Sequence, residues 1–120
     1  MIIWIASYPK SGNTWVRALL AYYFFSRKET FNFTLLKNIP NFNVADFIDE
    51  KSPLKDNDDI IKNWIPVQQF IHKKFKRNLF FKTHNVCTTK DGHKFTDNNV
   101  SAGCIYIIRD PRNVITSYKN

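Results

Sequence analysis

Ile2 to Ala6 form an unbroken apolar run, the pattern of a strand buried on both faces. The polar stretch around "YPKSGN" (8–13) interrupts it. Apolar positions then recur at Trp15, Val16, Leu19, Leu20, Tyr23 and Phe24, a spacing that predicts a helix from Thr14 to about Phe25. Strand, tight polar loop, helix is the opening unit of an α/β fold.

The pattern returns twice. Leu79 to Thr83 reads as a second strand ending in polar residues and His84. "CIYIIRD" (104–110) repeats the first strand's pattern, apolar and then charged, and Pro111 stands in a good first-turn position for a helix over "RNVITSYKN". Between them, Asp91-Gly92 predicts a hairpin turn within 85–103. Residues 26–58, with Pro40, Pro53 and many Asn, predict short helices and loops. Asp58 or Asp59 is expected to cap a helix from Ile60 to about Lys76, which Pro66 kinks or begins.

Three strands thus each end in a polar cluster. In an open parallel sheet ligands bind at the carboxyl ends of the strands, so the three clusters are expected to face one crevice. The first cluster suits an anion. A loop entering a helix presents unpaired backbone N–H groups and a favourable dipole; Gly12 allows close approach, Ser11 and Thr14 add hydroxyls, and Lys10 adds a charge. The same residues also fit a plain strand-to-helix turn capped by Asn13 or Thr14. A Walker A loop is excluded by order, because Lys10 precedes the glycine.

Composition narrows the partners. The net charge of +8 favours an anionic ligand or surface, and "HKKFKR" (72–77) is the one basic run, which argues against a dedicated nucleic-acid stripe. Cys87 and Cys104 lack metal-ligand spacing and read as reduced thiols. The longest apolar run, "ALLAYYFF" (18–25), is too short to span a membrane, and no signal peptide pattern opens the chain. A soluble cytoplasmic protein is expected.

"YPKSGNTW" resembles the phosphosulfate-binding loop of sulfotransferases that use 3′-phosphoadenosine 5′-phosphosulfate (PAPS), a pattern close to Y-P-K-S-G-T-T-W, with Asn13 in place of threonine. "FFKTHN" (80–85) fits the family's K-T-H motif, and "IIRDPRNVITSY" (107–118) fits its strand-Arg-turn-helix-Ser pattern. The resemblance implies a P-loop-like three-layer α/β fold with a central parallel sheet flanked by helices. It implies that Lys10 contacts the leaving phosphate, that Ser11, Gly12, Asn13 and Thr14 cradle the 5′-phosphate, and that Trp15 packs against adenine. Arg109 and Ser117 match the pair that binds the 3′-phosphate. His84 matches the general base, and Lys82 the cation that stabilises the transferring group. The reaction implied is in-line sulfuryl transfer from PAPS, without metal, to a hydroxyl or amine of a small-molecule or glycan acceptor.

The family has further chain that completes the 3′-phosphate and adenine site, so residues 1–120 are read as the N-terminal part of one sulfotransferase domain, truncated at its C-terminal side. An uncapped sheet edge is then expected to favour self-association. The competing functions are a nucleotide-binding remnant without catalysis and a P-loop kinase or NTPase.

Overall fold

The computed structural model describes residues 1–27, 30–48, 54 and 56–119; part of the irregular region expected over 26–58, including Pro53, lies outside the described residues. Three strands form a parallel sheet in the order β2-β1-β5, with β1 (Ile2–Ser7) between β2 (Leu79–Thr83) and β5 (Ser101–Ile107). All three C-terminal ends therefore lie along one side of the sheet. β3 (Thr89–Lys90) and β4 (His93–Lys94) make the expected hairpin, with Asp91 and Gly92 both at positive φ.

The sheet has helices on both faces. Ile5 packs with Ala21 of α1 (Asn13–Phe25) and with Ile39, which follows the 3₁₀ helix Phe33–Asn38. On the opposite face Ile2, Trp4 and Phe81 pack with Val44 from the second 3₁₀ helix (Val44–Phe47) and with Val67 and Ile71. Aromatic rings fill this layer: Trp4 lies 5.0 Å from Phe95 and meets Phe42 edge-on at 5.2 Å. The α/β architecture expected from the alternating pattern is what forms, with helices on both faces of a parallel sheet as the resemblance implies.

Three expectations need correction. The helix expected over 60–76 is two, α2 (Asn57–Lys62) and α3 (Trp64–Phe75), broken at Asn63, and Asp56 is the cap through its bond to the Asp59 amide. The third strand begins at Ser101 rather than Cys104, because Ile2 of β1 pairs with Ser101 and, after a shift in register, Ile3 to Ser7 pair with Gly103 to Ile107. It is also mostly exposed, whereas β1 is buried along nearly all its length. A continuous apolar run specifies a strand; whether that strand is covered depends on what packs against it.

No helix among the described residues is long and apolar enough to cross a membrane.

Candidate functional site

The loop after β1 is shaped by two left-handed residues. Lys10 has φ 63° and Gly12 has φ 103°, so the chain folds back tightly before α1 begins. Gly12, rather than Asn13 or Thr14, is the residue that opens the helix: the amides of Trp15 and Val16 both donate to its carbonyl. The amides of Asn13 and Thr14, in the first turn, precede any intrahelical acceptor. Alternating left-handed residues with free amides form an anion-binding concavity.

Asn13 turns its side chain inward. Its amide nitrogen donates to the Ile5 carbonyl at 3.1 Å and to the Ser7 hydroxyl at 3.0 Å, which ties the loop to the end of β1. Ser11 is also buried, and its amide donates to the Tyr8 carbonyl at 3.3 Å. Of the residues singled out in the sequence, Ser11 alone is outside the cleft that gathers the others.

That cleft, of about 420 Å³, lies at the C-terminal ends of the three strands. Lys10, Gly12, Asn13, Thr14 and Trp15 supply one wall, Lys82 and His84 come from the end of β2, and Arg109 and Ser117 close it from β5 and α4 (Pro111–Lys119). Trp15 stands 74% exposed at its rim, with an indole face open to a flat ligand. Arg109 donates to the Lys10 carbonyl at 2.9 Å, so its guanidinium spans from the end of β5 to the loop and keeps other N–H groups to spare. Lys10 reaches over the ring of Tyr118 at 5.9 Å.

Lys82 is locked by its backbone. Its amide donates to the Pro40 carbonyl and its carbonyl accepts from Phe42, so a second segment covers the outer edge of β2 at this residue. Burial, helped by the Arg17 guanidinium, pushes the Lys82 amine below the ordinary lysine range. Arg17 itself is lowered by burial and donates to the carbonyls of Ile39 and Leu36, bracing α1 against the neighbouring 3₁₀ helix.

His84 is oriented by one short contact: its Nδ1 lies 2.6 Å from the Ser7 carbonyl oxygen. A carbonyl only accepts, so Nδ1 carries the hydrogen and donates it, which leaves the Nε2 lone pair of the neutral ring free to take a proton. His84 also lines a second cavity, of about 560 Å³, on the Trp4 face of the sheet. Among the described residues it is the only one common to the polar cleft and to this cavity. Trp4, Phe95, Val86 and Tyr106 make the cavity largely apolar, and among the described residues neither Lys nor Arg lines it.

Sequence reasoning missed Ser7, Arg17 and Tyr118. Ser7 acts through its carbonyl, which no side-chain motif reveals. Arg17 left a trace, a lone cation inside the apolar helical run "WVRALL". Asp110 shapes the turn into α4: its carboxylate accepts from the Arg112 amide and pairs with the Arg112 guanidinium at 2.7 Å, which holds it below the usual carboxylate range. Among the described residues, no three His, Cys, Asp or Glu side chains come together as a metal site.

No curated protein and no solved structure matches the chain. The family model of the sulfotransferase domain matches it over residues 2–120, nearly its whole length. The chain therefore belongs to the sulfotransferase domain family.

Proposed function

We propose that this chain moves a sulfuryl group from PAPS to the hydroxyl, or amine, of a small acceptor, with His84 as general base. The observation that carries the reading is the position of His84 between the two cavities, its Nε2 lone pair left free by the Nδ1 bond to Ser7.

PAPS would supply an activated sulfur on a good leaving group. The cleft is suited to it. Free first-turn amides and Lys10 favour the 5′-phosphate side, Arg109 and Ser117 the 3′-phosphate, and the open face of Trp15 an adenine ring. Lys10 offers its ammonium where negative charge collects on the departing phosphate oxygen. Lys82 offers its own to the equatorial oxygens of the group in transit. His84 removes the acceptor's proton as the oxygen attacks, and ends as imidazolium still hydrogen-bonded to Ser7.

The apolar cavity on the other side of His84 supports an acceptor of modest size and little charge. The residues of the 85–103 segment, Phe95 and Val86 among them, would then set acceptor choice.

The test is His84→Ala, assayed with a panel of phenolic and aliphatic alcohols and titrated with 3′-phosphoadenosine 5′-phosphate. Transfer is expected to fall by roughly 10²–10⁴-fold, the range for loss of a positioned base, with nucleotide affinity nearly unchanged. Undiminished transfer by the variant removes His84 from the role. Failure of the parent chain to bind the nucleotide removes the donor assignment.

A further inference from the structure

The basic run at 72–77 lies away from the cleft. α3 ends at Phe75, Lys76 takes a left-handed conformation (φ 46°), and Arg77 leads into β2. The Leu79 amide donates to the Met1 carbonyl at 3.0 Å, which places this corner where β1 and β2 begin, at the opposite end of the sheet from the cleft. Here an open depression of about 610 Å³ is lined by His72, Lys73, Lys76, Arg77 and Asn78 with Met1.

Two observations set the corner apart from an ordinary helix end. Cations in a last helical turn complement the helix dipole, which accounts for Lys73 and Lys74. It does not account for Lys76 and Arg77 beyond the helix, nor for two aromatic rings left in solvent, Phe70 at 45% and Phe75 at 39% exposure. Charge is also segregated along the chain, with no Asp or Glu between Asp59 and Asp91. Among the described residues none of the four cations forms an ion pair.

We infer that this corner is a docking surface for an anionic lipid membrane, with Lys73, Lys74, Lys76 and Arg77 meeting the headgroups and the edges of Phe70 and Phe75 entering the headgroup boundary. Cations around apolar rings are the chemistry of interfacial binding, in which electrostatic attraction and shallow apolar burial add. A polynucleotide fits less well. Stacking bases need free ring faces, and the Lys74 ammonium already covers a face of each ring, at 5.3 Å from Phe70 and 5.6 Å from Phe75. Docked this way, the chain holds its cleft facing away from the lipid. The inference stands independently of the transfer reaction.

The test is co-sedimentation of the full chain with phosphatidylcholine vesicles, with and without about one-third phosphatidylserine. Binding is expected only to the anionic vesicles. Lys73→Gln/Lys76→Gln/Arg77→Gln should weaken it on the order of a hundredfold, about fivefold for each cation removed. Lys37→Gln/Lys62→Gln/Lys90→Gln, which removes as much charge elsewhere, should leave it nearly unchanged. Phe70→Ser/Phe75→Ser should weaken it severalfold without altering its salt dependence. Far-UV circular dichroism checks folding, and Lys73→Gln/Lys74→Gln, both on exposed positions of α3, replaces any variant that unfolds. Equal loss in the control variant, indifference to the Phe pair, or capture by heparin and single-stranded DNA but not by vesicles each overturns the inference.

Discussion

β2 and β5 flank the same central strand, run in the same direction and deliver residues to the same cleft, yet they are held differently. β2 is paired on one side to β1 and covered at Lys82 on the other by the segment from Pro40 to Phe42. Its Phe81 sits in the aromatic layer with Trp4. β5 is paired to β1 alone among the described residues, and Ile105 and Tyr106 stand in solvent. Lys82 and His84, at the end of β2, are thus carried on a rigid support. Arg109, beyond β5, is carried on a strand with one neighbour, and its bond to the Lys10 carbonyl is what draws it into the cleft. The side proposed for chemistry is built into the core; the side proposed for gripping the nucleotide is added at an edge.

Substitution in the two layers should separate them most sharply. Trp4→Ala removes an indole that is 2% exposed and is expected to cost about 3–5 kcal/mol, the range for a large aromatic truncated in a core, read as a lowered midpoint in urea or loss of folding. Tyr106→Ala, at 66% exposure, should change stability by less than about 0.5 kcal/mol. Similar costs at the two positions would mean that β5 is as well buried in solution as β1.

Arg109→Ala comes next. It should weaken 3′-phosphoadenosine 5′-phosphate binding by roughly tenfold to a hundredfold, the range for a charged hydrogen bond, measured by calorimetric titration, with midpoint stability little changed. An Arg109 variant that binds normally would place the nucleotide's 3′ side elsewhere.

Asn13→Ala leaves the Ser7 hydroxyl and the Ile5 carbonyl without their inward donor and is expected to cost about 1–3 kcal/mol. The family's threonine at this position should recover part of it. Recovery of stability by Asn13→Asp would argue against the amide as the tie, since a carboxylate cannot donate to the Ile5 carbonyl.

The smallest effects are in pH and association. Lys82 is lowered by burial and by Arg17, so the alkaline limb of kcat/KM should fall below the ordinary lysine range. A bound anionic donor favours the charged amine and should move the limb of kcat to higher pH. For stability the sign is that of a depressed amine: the folded state binds this proton less readily than the unfolded chain, so charged Lys82 opposes folding and the opposition lifts as pH rises through its folded value. Among the described residues the outer edge of β5 is unpaired, which predicts concentration-dependent self-association in sedimentation, weakened by Ile105→Lys with little change in unfolding midpoint.

Much of this was legible in the chain itself. The apolar runs at Ile2 and Leu79 gave their strands, and polar residues at their ends marked the crevice because a parallel sheet presents all its carboxyl ends on one side. What sequence could not carry was tertiary. "CIYII" reads like "IIWIA", yet one is exposed and the other buried, since neighbours decide coverage. Ser11 reads as a hydroxyl donor to a ligand, yet it is buried outside the cleft, and Asn13, a candidate cap, instead turns its side chain to the end of β1. The break at Asn63 was hidden because Pro66, the visible helix breaker, sits harmlessly in the first turn of α3.

The twist at Lys10 sets two demands against each other at one residue. Its backbone lies where glycine would rest freely and where any other side chain costs on the order of 1–2 kcal/mol, while the proposed chemistry wants an ammonium there. Selection for heat resistance alone would therefore reach first for Lys10→Gly, which would yield a sturdier protein and, on the proposed chemistry, a slower one. A lysine held at this φ thus ties the proposed chemistry to a cost in robustness at the same residue.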